Sequence, residues 1–312
     1  MKSLAPIVLF CYNRPWHVEQ TLNALSKNEL ADQSVLYIYC DGPTENATDE
    51  QVNNIKLTRE VVRKEKWCKE VYIIESDKNK GLAESIIGGV TEVVRKYGKI
   101  IVIEDDIITS KGFLRYMNDA LEVYKDEKSV MHITAYMYPH KCKLPETFFY
   151  QVPYPGGGWA TWERAWNLYN DNTEELYNKW KDRWEEFDIF GSETGEALSR
   201  QLIANYNGTL KTWFVKWHAT LLEYGALTLY PGKSLTNNIG FDNSGANCVQ
   251  TTMFQVSITD NVNVVKSRIK VNRKAYRVIH DFHEGHWYNR RRRIRIINKV
   301  LEFLHLPLIK KK

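Results

Sequence analysis

The stretch Lys99-Ile100-Ile101-Val102-Ile103-Glu104-Asp105-Asp106 turns from an apolar, β-branched run into three consecutive carboxylates, and a helical pattern follows from Phe113. Apolar runs of this kind are typical of strands covered on both faces, as in parallel α/β sheets. Adjacent carboxylates repel one another and lose hydration unless a cation offsets them. A hard divalent cation with oxygen ligands, sharing its shell with a substrate diphosphate, fits this arrangement. The stretch therefore predicts an α/β sheet with a metal-assisted nucleotide site.

The same strand–helix alternation fills the first 140 residues. Strands are predicted at 7–12, 35–40, 71–75 and 100–103, and helices at 16–26, 52–64, 82–97 and 113–124. Short connections between such elements favour right-handed crossovers. We therefore expect a mostly parallel central sheet of the Rossmann-like type, flanked by helices.

Polar residues follow each of these strands: Asn13 and Arg14, Asp41, Asp77, and the acidic triplet. Ligands of open α/β sheets bind at the carboxyl ends of the strands, so these side chains are candidates for one shared crevice. A single Asp there can instead cap a helix, which is the preferred interpretation for Asp77.

Charge is distributed unevenly along the chain. Residues 290–312 hold nine Lys and Arg against one Glu, a balance of +8, so that the remaining residues carry −3 of the overall +5. Apolar residues recur at helical spacing from Ile294 to Leu304, which predicts a basic amphipathic helix suited to an anionic membrane surface. Docking of this helix on the body is the alternative. Nucleic acid is disfavoured as a partner, because no aromatic residues interleave the arginines.

The cysteines indicate a reducing compartment. Five cysteines are scattered without a C-x-x-C pair, and Cys11 and Cys40 fall within predicted buried strands. No apolar stretch is long enough to span a bilayer, and the opening apolar run resembles a first strand more than a signal peptide. We expect a cytoplasmic protein, with peripheral attachment to the inner membrane through the tail.

Several other nucleotide and metal motifs are excluded or weak. Gly232-Lys233-Ser234 lacks the earlier glycine of a P-loop, and no G-x-G-x-x-G follows the first strand. The spacing of His280, His283 and His286 is a weak zinc signal, although one of them can complete a divalent metal's shell.

After residue 140 the pattern changes. A strand is predicted at 148–153, and a glycine run then leads into tryptophans three and four apart at 159–166, which suggests a tight loop followed by an aromatic-faced helix. Such aromatic faces stack on sugars. The alternative, a tryptophan-rich core, accounts for at least half of the ten tryptophans.

Six segments together resemble glycosyltransferases of the GT-A fold, in a bacterial branch near family 2 that shares its plan with the eukaryotic N-acetylglucosaminyltransferase I family. The resemblance covers about residues 5–250 and is carried by Pro6-Ile7-Val8-Leu9-Phe10-Cys11-Tyr12-Asn13-Arg14-Pro15, Asp41-Gly42, Asn79-Lys80-Gly81-Leu82-Ala83, the acidic triplet as a D-x-D-type motif, and Gly158-Trp159-Ala160-Thr161-Trp162 with Ser234-Leu235-Thr236-Asn237-Asn238-Ile239-Gly240.

The resemblance implies metal-assisted, inverting transfer of a sugar from a nucleotide donor, UDP-linked, with Mn²⁺ or Mg²⁺ on the diphosphate. Asp106 is implied as the direct metal ligand, and Glu104 and Asp105 as contacts of the ribose or the metal shell. The other implied donor contacts are Asp41 for the base, Asn13 and Arg14 for the same pocket, and Asn79 and Gly81 where the backbone approaches the donor.

An inverting enzyme also needs a carboxylate that takes the acceptor's proton. Relatives place an Asp in a W-D-x-x-W segment, but this chain has Phe214 after Trp213. Asp242 is the candidate base, with Glu163 and Glu223 as alternatives, and a plain turn role for Asp242 remains open.

The resulting hypothesis divides one domain into a nucleotide-sugar-binding half (1–140) and an acceptor-binding half (141–289), followed by the basic tail (290–312). The acceptor is expected to be a glycan or a lipid-linked sugar in surface polysaccharide synthesis. Two alternatives stay open: a sugar nucleotidyltransferase, and a non-catalytic protein that binds nucleotides or carbohydrates.

Overall fold

The computed structural model describes residues 3–188, 198–245 and 250–283, together with 297 and 301. Its strands, in chain order, are β1 (Ile7–Cys11), β2 (Val35–Cys40), β3 (Glu70–Glu75), β4 (Lys99–Glu104), β5 (Ile107–Thr109), β6 (Val130–Thr134), β7 (Thr147–Tyr150), β8 (Trp159–Trp162), β9 (Leu227–Pro231) and β10 (Thr236–Asn238). The helices are α1 (Pro15–Ser26), α2 (Asp49–Arg63), α3 (Gly81–Tyr97), α4 (Phe113–Val123), α5 (Glu163–Trp166), α6 (Thr173–Trp180), α7 (Trp184–Asp188), α8 (Leu198–Tyr206) and α9 (Phe214–Glu223). A further helical segment covers residues 273–283.

Local sequence signals set the ends of the first helices. α1 begins at Pro15, whose fixed φ suits a first helical position. Thr48 and Gln51 form a capping box at the start of α2. Gly98 ends α3 in the left-handed region at φ +75°, a conformation that costs glycine little.

One eight-stranded sheet runs through the molecule in the order β3-β2-β1-β4-β8-β6-β9-β7. The first four strands are mutually parallel, and β6 is parallel to β9, whereas β8 and β7 run antiparallel to their neighbours. The predicted α/β class, with a mostly parallel central sheet flanked by helices, is confirmed. Strands from both sides of residue 140 belong to this sheet.

Alternate residues of β1 face two separate hydrophobic clusters. Ile7 and Leu9 pack in the cluster that contains α1 and α4, and Val8 and Phe10 pack in the cluster that contains α3. Both faces of the strand are buried, which explains its continuous apolar sequence.

The prediction of an aromatic helix directly after the glycine run is wrong. Residues Trp159–Trp162 form β8, which pairs with both β4 and β6, and helix α5 begins only at Glu163. Two antiparallel neighbours, β4 and β6, form hydrogen bonds with the backbone of this segment. This pairing decides its conformation, although its tryptophans are spaced as in a helix. Seven of the nine tryptophans in the described residues are buried, so the alternative of a tryptophan-rich core is the better one; these are Trp67, Trp159, Trp162, Trp166, Trp180, Trp213 and Trp217.

A separate two-stranded sheet continues from the acidic triplet. β5 follows the triplet and pairs antiparallel with β10, so that Asn238 lies opposite Ile107. This pairing brings the segment 236–240 next to Asp106, where the Ile239 N–H donates to the Asp106 carbonyl at 2.9 Å.

The predicted amphipathic tail at 290–312 lies outside the described residues, apart from 297 and 301. Among the helices of the described part, none is both long and apolar enough to cross a bilayer.

Candidate active site

Three parallel strands end side by side at one edge of the sheet, where a cavity of about 480 Å³ opens. This volume lies in the range of small-molecule sites. Eight residues that the sequence predicted as nucleotide or metal contacts line it: Asn13, Arg14, Asp41, Asn79, Gly81, Glu104, Asp105 and Asp106. The cavity thus brings together side chains that follow β1, β2, β3 and β4.

Arg14 is paired with two of the three carboxylates. Its Nη2 contacts Asp105 Oδ1 and lies 2.9 Å from Asp106 Oδ2, and its Nε lies 3.4 Å from Asp105 Oδ2. Arg14 follows β1 and the acids follow β4, and these strands are adjacent and parallel, so the sheet itself places the charges together. Thr21 of α1 adds a bond from its hydroxyl to the Asp105 carbonyl at 2.8 Å.

The buried charges shift one another's proton affinity. Burial, Asp106 and Asp105 raise the pKa of Glu104 to about 8, against a lowering by Arg14. Burial raises the pKa of Asp105 to about 6, although Arg14 opposes it. Burial disfavours the charged form of Arg14, but Asp105 and Asp106 outweigh it and hold the Arg14 pKa above its ordinary value. The guanidinium therefore stays charged between these acids.

Asp106 is enclosed by the segment that follows β10. Asn238 Nδ2 lies 3.4 Å from Asp106 Oδ1 and 3.1 Å from the Gly156 carbonyl. A Cβ on Gly240 would overlap Asp106 Oδ2. An alanine at position 240 would therefore force either this segment or the carboxylate to move.

Asp41 holds the backbone at the start of α3. Its Oδ1 accepts from the N–H groups of Gly42 and Lys80, at 2.8 and 2.9 Å, and its Oδ2 accepts from the Gly81 N–H at 2.9 Å. Asn79 donates through Nδ2 to the Gly42 carbonyl at 3.0 Å. Both side chains line the cavity, and both also fix the shape of its wall.

Of the three candidate bases, only Asp242 lies near the cavity. It is in the turn before Ser244 and Gly245, which line the cavity, and its Oδ2 lies 3.0 Å from His17 Nε2. Glu163 follows the antiparallel β8 and so lies at the opposite edge of the sheet. Glu223 ends α9, pairs with Lys179 and does not line the cavity.

Sequence reasoning missed several lining residues, among them Tyr12, Gln51 and Ser85. Tyr12 lies directly between β1 and Asn13, so its position after the strand predicts that it lines the cavity. Its buried hydroxyl has no hydrogen-bond partner among the described residues. Gln51 and Ser85 reach the cavity from helices, and no pattern in their sequence distinguishes them from surface residues.

The carboxylate oxygens of Glu104, Asp105 and Asp106 are the kind of ligand that a hard divalent cation prefers. Their positions, however, do not suit a metal ion. Within the described residues, no three His, Cys, Asp or Glu side chains converge closely enough to hold one. Arg14 stands between Asp105 and Asp106 instead. These residues can hold a metal only after the guanidinium has moved.

No protein-family model matches the chain, and no curated protein matches it. The chain is similar to solved structures, including the mannosyltransferase PcManGT from Pyrobaculum calidifontis in complex with GDP-Man and Mn²⁺, at 11% identity over 57% of this chain and 47% of that one, with a TM-score of 0.37. S. aureus TarS 1-349 shows 12% identity over 75% of this chain and 59% of that one, with a TM-score of 0.40. The apo form of mouse xyloside xylosyltransferase 1 shows 10% identity over 70% and 81%, with a TM-score of 0.35.

The chain spans less than two thirds of the PcManGT and TarS 1-349 structures. At TM-scores of 0.40 and below, these similarities assign neither a substrate nor a mechanism to the chain. The proposed function therefore depends on the side chains that line the cavity.

Proposed function

We propose that the protein is a GT-A-type glycosyltransferase that moves a sugar from a UDP-linked donor to a glycan or lipid-linked acceptor in surface polysaccharide synthesis. The observation that carries the proposal is the convergence of Asn13, Arg14, Asp41 and the acidic triplet on one cavity at the carboxyl edge of the parallel strands. Ligands of open α/β sheets bind at this edge. The UDP preference and inversion of configuration rest on the sequence resemblance.

The charge of the cavity supports a cation-assisted donor. Asp41, Asp105 and Asp106 line it together with Glu104, whose pKa of about 8 keeps it largely protonated at neutral pH, and Arg14 is the one cation among its described lining residues. An anionic diphosphate entering such a cavity meets net repulsion. Once Arg14 has moved from between the acids, Asp106, with Asp105 or Glu104, would hold Mn²⁺ or Mg²⁺, which would supply neutralisation of the charge on the departing nucleoside diphosphate.

The chain's own groups supply binding and proton transfer. Asn13 and Gly81 line the cavity and are proposed to contact the nucleotide. Asp242, whose turn borders the cavity, is proposed to take the acceptor hydroxyl's proton as the new glycosidic bond forms. The acceptor is proposed to approach from the side of residues 241–245, and the basic tail to attach the enzyme to the anionic inner face of the membrane.

Calorimetric titration of UDP, GDP and CMP, with and without Mn²⁺, tests the donor class on the wild type and on Asp106→Ala. Metal-dependent binding of UDP that is lost in the variant is the expected result. Release of free UDP from a UDP-sugar then separates an enzyme from a binding protein. Absence of nucleotide binding under every condition would overturn the proposed function.

A further inference from the structure

Arg14 occupies the place between two carboxylates that a divalent cation would need. One of its nitrogens, Nη2, contacts both Asp105 and Asp106, so a metal bridging these acids and the guanidinium cannot be present together. The side chain of Arg14 is 15% exposed, and those of Asp105 and Asp106 are 7% and 8% exposed. At this degree of burial the ion pairs are only weakly screened by solvent.

A free metal ion therefore has to displace a buried guanidinium before it can bind. The displaced guanidinium, lacking its carboxylates, would be left charged and unpaired in a largely buried position, which is costly. This cost lowers the affinity of the cavity for the metal alone. The chain binds the metal well only if Arg14 finds another anionic partner at the same time.

A diphosphate is such a partner. Arg14 lines the same cavity as the acids, and guanidinium forms paired hydrogen bonds with phosphate oxygens as it does with carboxylates. Its Nη1 is buried and has no hydrogen-bond partner among the described residues, so the group has donors to spare.

We propose that Arg14 is an exchangeable counter-ion: it neutralises Asp105 and Asp106 in the free protein and transfers to the diphosphate when the metal–nucleotide complex arrives. The metal and the nucleotide then bind with strong positive coupling, and the metal alone binds weakly. This proposal rests on the proposed function for the identity of the anion, but the weak binding of the metal alone is independent of it.

Electron paramagnetic resonance of Mn²⁺ tests the counter-ion role without any nucleotide. Arg14→Met is expected to bind Mn²⁺ about tenfold tighter than the wild type, because no guanidinium has to be displaced. Arg63→Met is the matched control, since it removes an exposed arginine that pairs with Glu75 outside the cavity; its Mn²⁺ affinity should equal that of the wild type. Equal Mn²⁺ affinities of Arg14→Met and the wild type would overturn the proposal.

Addition of UDP tests the exchange. In the wild type, UDP is expected to tighten Mn²⁺ binding by about tenfold or more, and in Arg14→Met this coupling should largely disappear. Persistence of the full coupling in the variant would contradict the exchange. If UDP, GDP and CMP bind to neither protein, the proposed function fails, while the comparison with Mn²⁺ alone still decides the counter-ion role.

Arg14→Lys covers the case in which Arg14→Met fails to fold. A lysine keeps the charge but loses the planar fork that contacts both acids, so it should bind Mn²⁺ more tightly than the wild type, though less so than Arg14→Met. The melting temperature gives a second readout: Mn²⁺ should raise it in the Arg14 variants and leave it nearly unchanged in the wild type. An Arg14→Lys protein with the Mn²⁺ affinity of the wild type would refute the proposal.

Discussion

His17 Nε2 and Asp242 Oδ2 lie 3.0 Å apart across 225 positions of sequence. This contact fixes the turn at residues 241–245 to the first turn of α1, beside the cavity. The hydroxyl of Ser244, first among the causes, lowers the pKa of Asp242 to about 2, and His17 contributes to the lowering. Asp242 is therefore ionised at neutral pH.

Asp242→Asn tests the proposed base. The substitution keeps the shape of the side chain and removes its basicity, so we expect transfer to fall by about 100-fold or more with nucleotide affinity unchanged. Initial-rate kinetics and calorimetry measure the two quantities. His17→Gln is the control for the contact alone, and it should retain most of the activity. Near-wild-type turnover of Asp242→Asn would leave Asp242 with only the role of holding the turn.

Gly240→Ala should damage the cavity through Asp106. The new Cβ would overlap Asp106 Oδ2 and press on Arg14 Nη1, so the segment or the carboxylate has to move. We expect nucleotide affinity to fall by about tenfold, at a cost in stability of about 1–3 kcal/mol. Calorimetry and urea unfolding measure these effects.

Gly88→Ala is the matched control for that substitution. A Cβ at this exposed position of α3 meets no atom within 4 Å, and alanine is the better helix former by about 1 kcal/mol. The control should keep its nucleotide affinity and gain slightly in stability. Equal losses in both variants would contradict the proposed contact with Asp106.

Acid should destabilise the fold partly through His132. Burial lowers the pKa of His132 from 6.5 to about 3, and its Nδ1 accepts from Trp217 Nε1 at 3.1 Å. Between these two pH values the unfolded chain binds the proton more readily than the folded one. Stability is therefore expected to fall as the pH drops below about 6.5, by up to about 1.4 kcal/mol per pH unit from this group.

His132→Gln removes this titration. The free energy of unfolding, measured with urea between pH 6 and pH 4, should depend less steeply on pH in the variant than in the wild type. Part of the slope will remain, because burial also lowers the pKa of His218 to about 4. His280→Gln, at an exposed position, should keep the wild-type slope. An unchanged slope in His132→Gln would refute the prediction.

The thiols should differ sharply in reactivity. Cys142 is exposed, whereas Cys11, Cys40 and Cys68 are buried, and burial raises the pKa of Cys68 to about 12. Because the thiolate is the reactive form, iodoacetamide should label Cys142 in the native protein and leave these three unmodified until denaturation. Mass spectrometry of tryptic peptides measures the labelling. Rapid native labelling of Cys68 would contradict its burial.

The sequence predicts those strands and helices that can be recognised from the spacing of neighbouring residues. The continuous apolar runs of β1 and β4 predict the parallel sheet. The polar residues after β1, β2 and β4 predict six residues of one cavity, because neighbouring parallel strands must end at the same edge: Asn13, Arg14, Asp41, Glu104, Asp105 and Asp106. Asn79 and Gly81 follow from the family resemblance alone, and Asp77, the polar residue predicted after β3, does not line the cavity. The strand β8 was misassigned, since its tryptophan spacing imitates a helix and its true partners, β4 and β6, lie far away in the chain.

The local sequence pattern also does not predict which residues contact the acidic triplet. The triplet indicates a missing cation, and the structure places Arg14 there, whereas the sequence predicts Arg14 only as a lining residue of the pocket. Its pairing with Asp105 depends on the lateral order of β1 and β4, which no local signal specifies. The same holds for Gly240, whose contact with Asp106 depends on the pairing of β10 with β5.

The position of β8 between β4 and β6 has a consequence for the nascent chain. β1 and β4, which pair in parallel, are both complete at residue 104, whereas β8, which covers the other side of β4, is complete only at residue 162. An exposed strand edge invites pairing with other chains. A nascent chain that pauses before this point would carry both an open strand edge and the charged end of β4, and pairing with other chains would be favoured until β8 covers that edge.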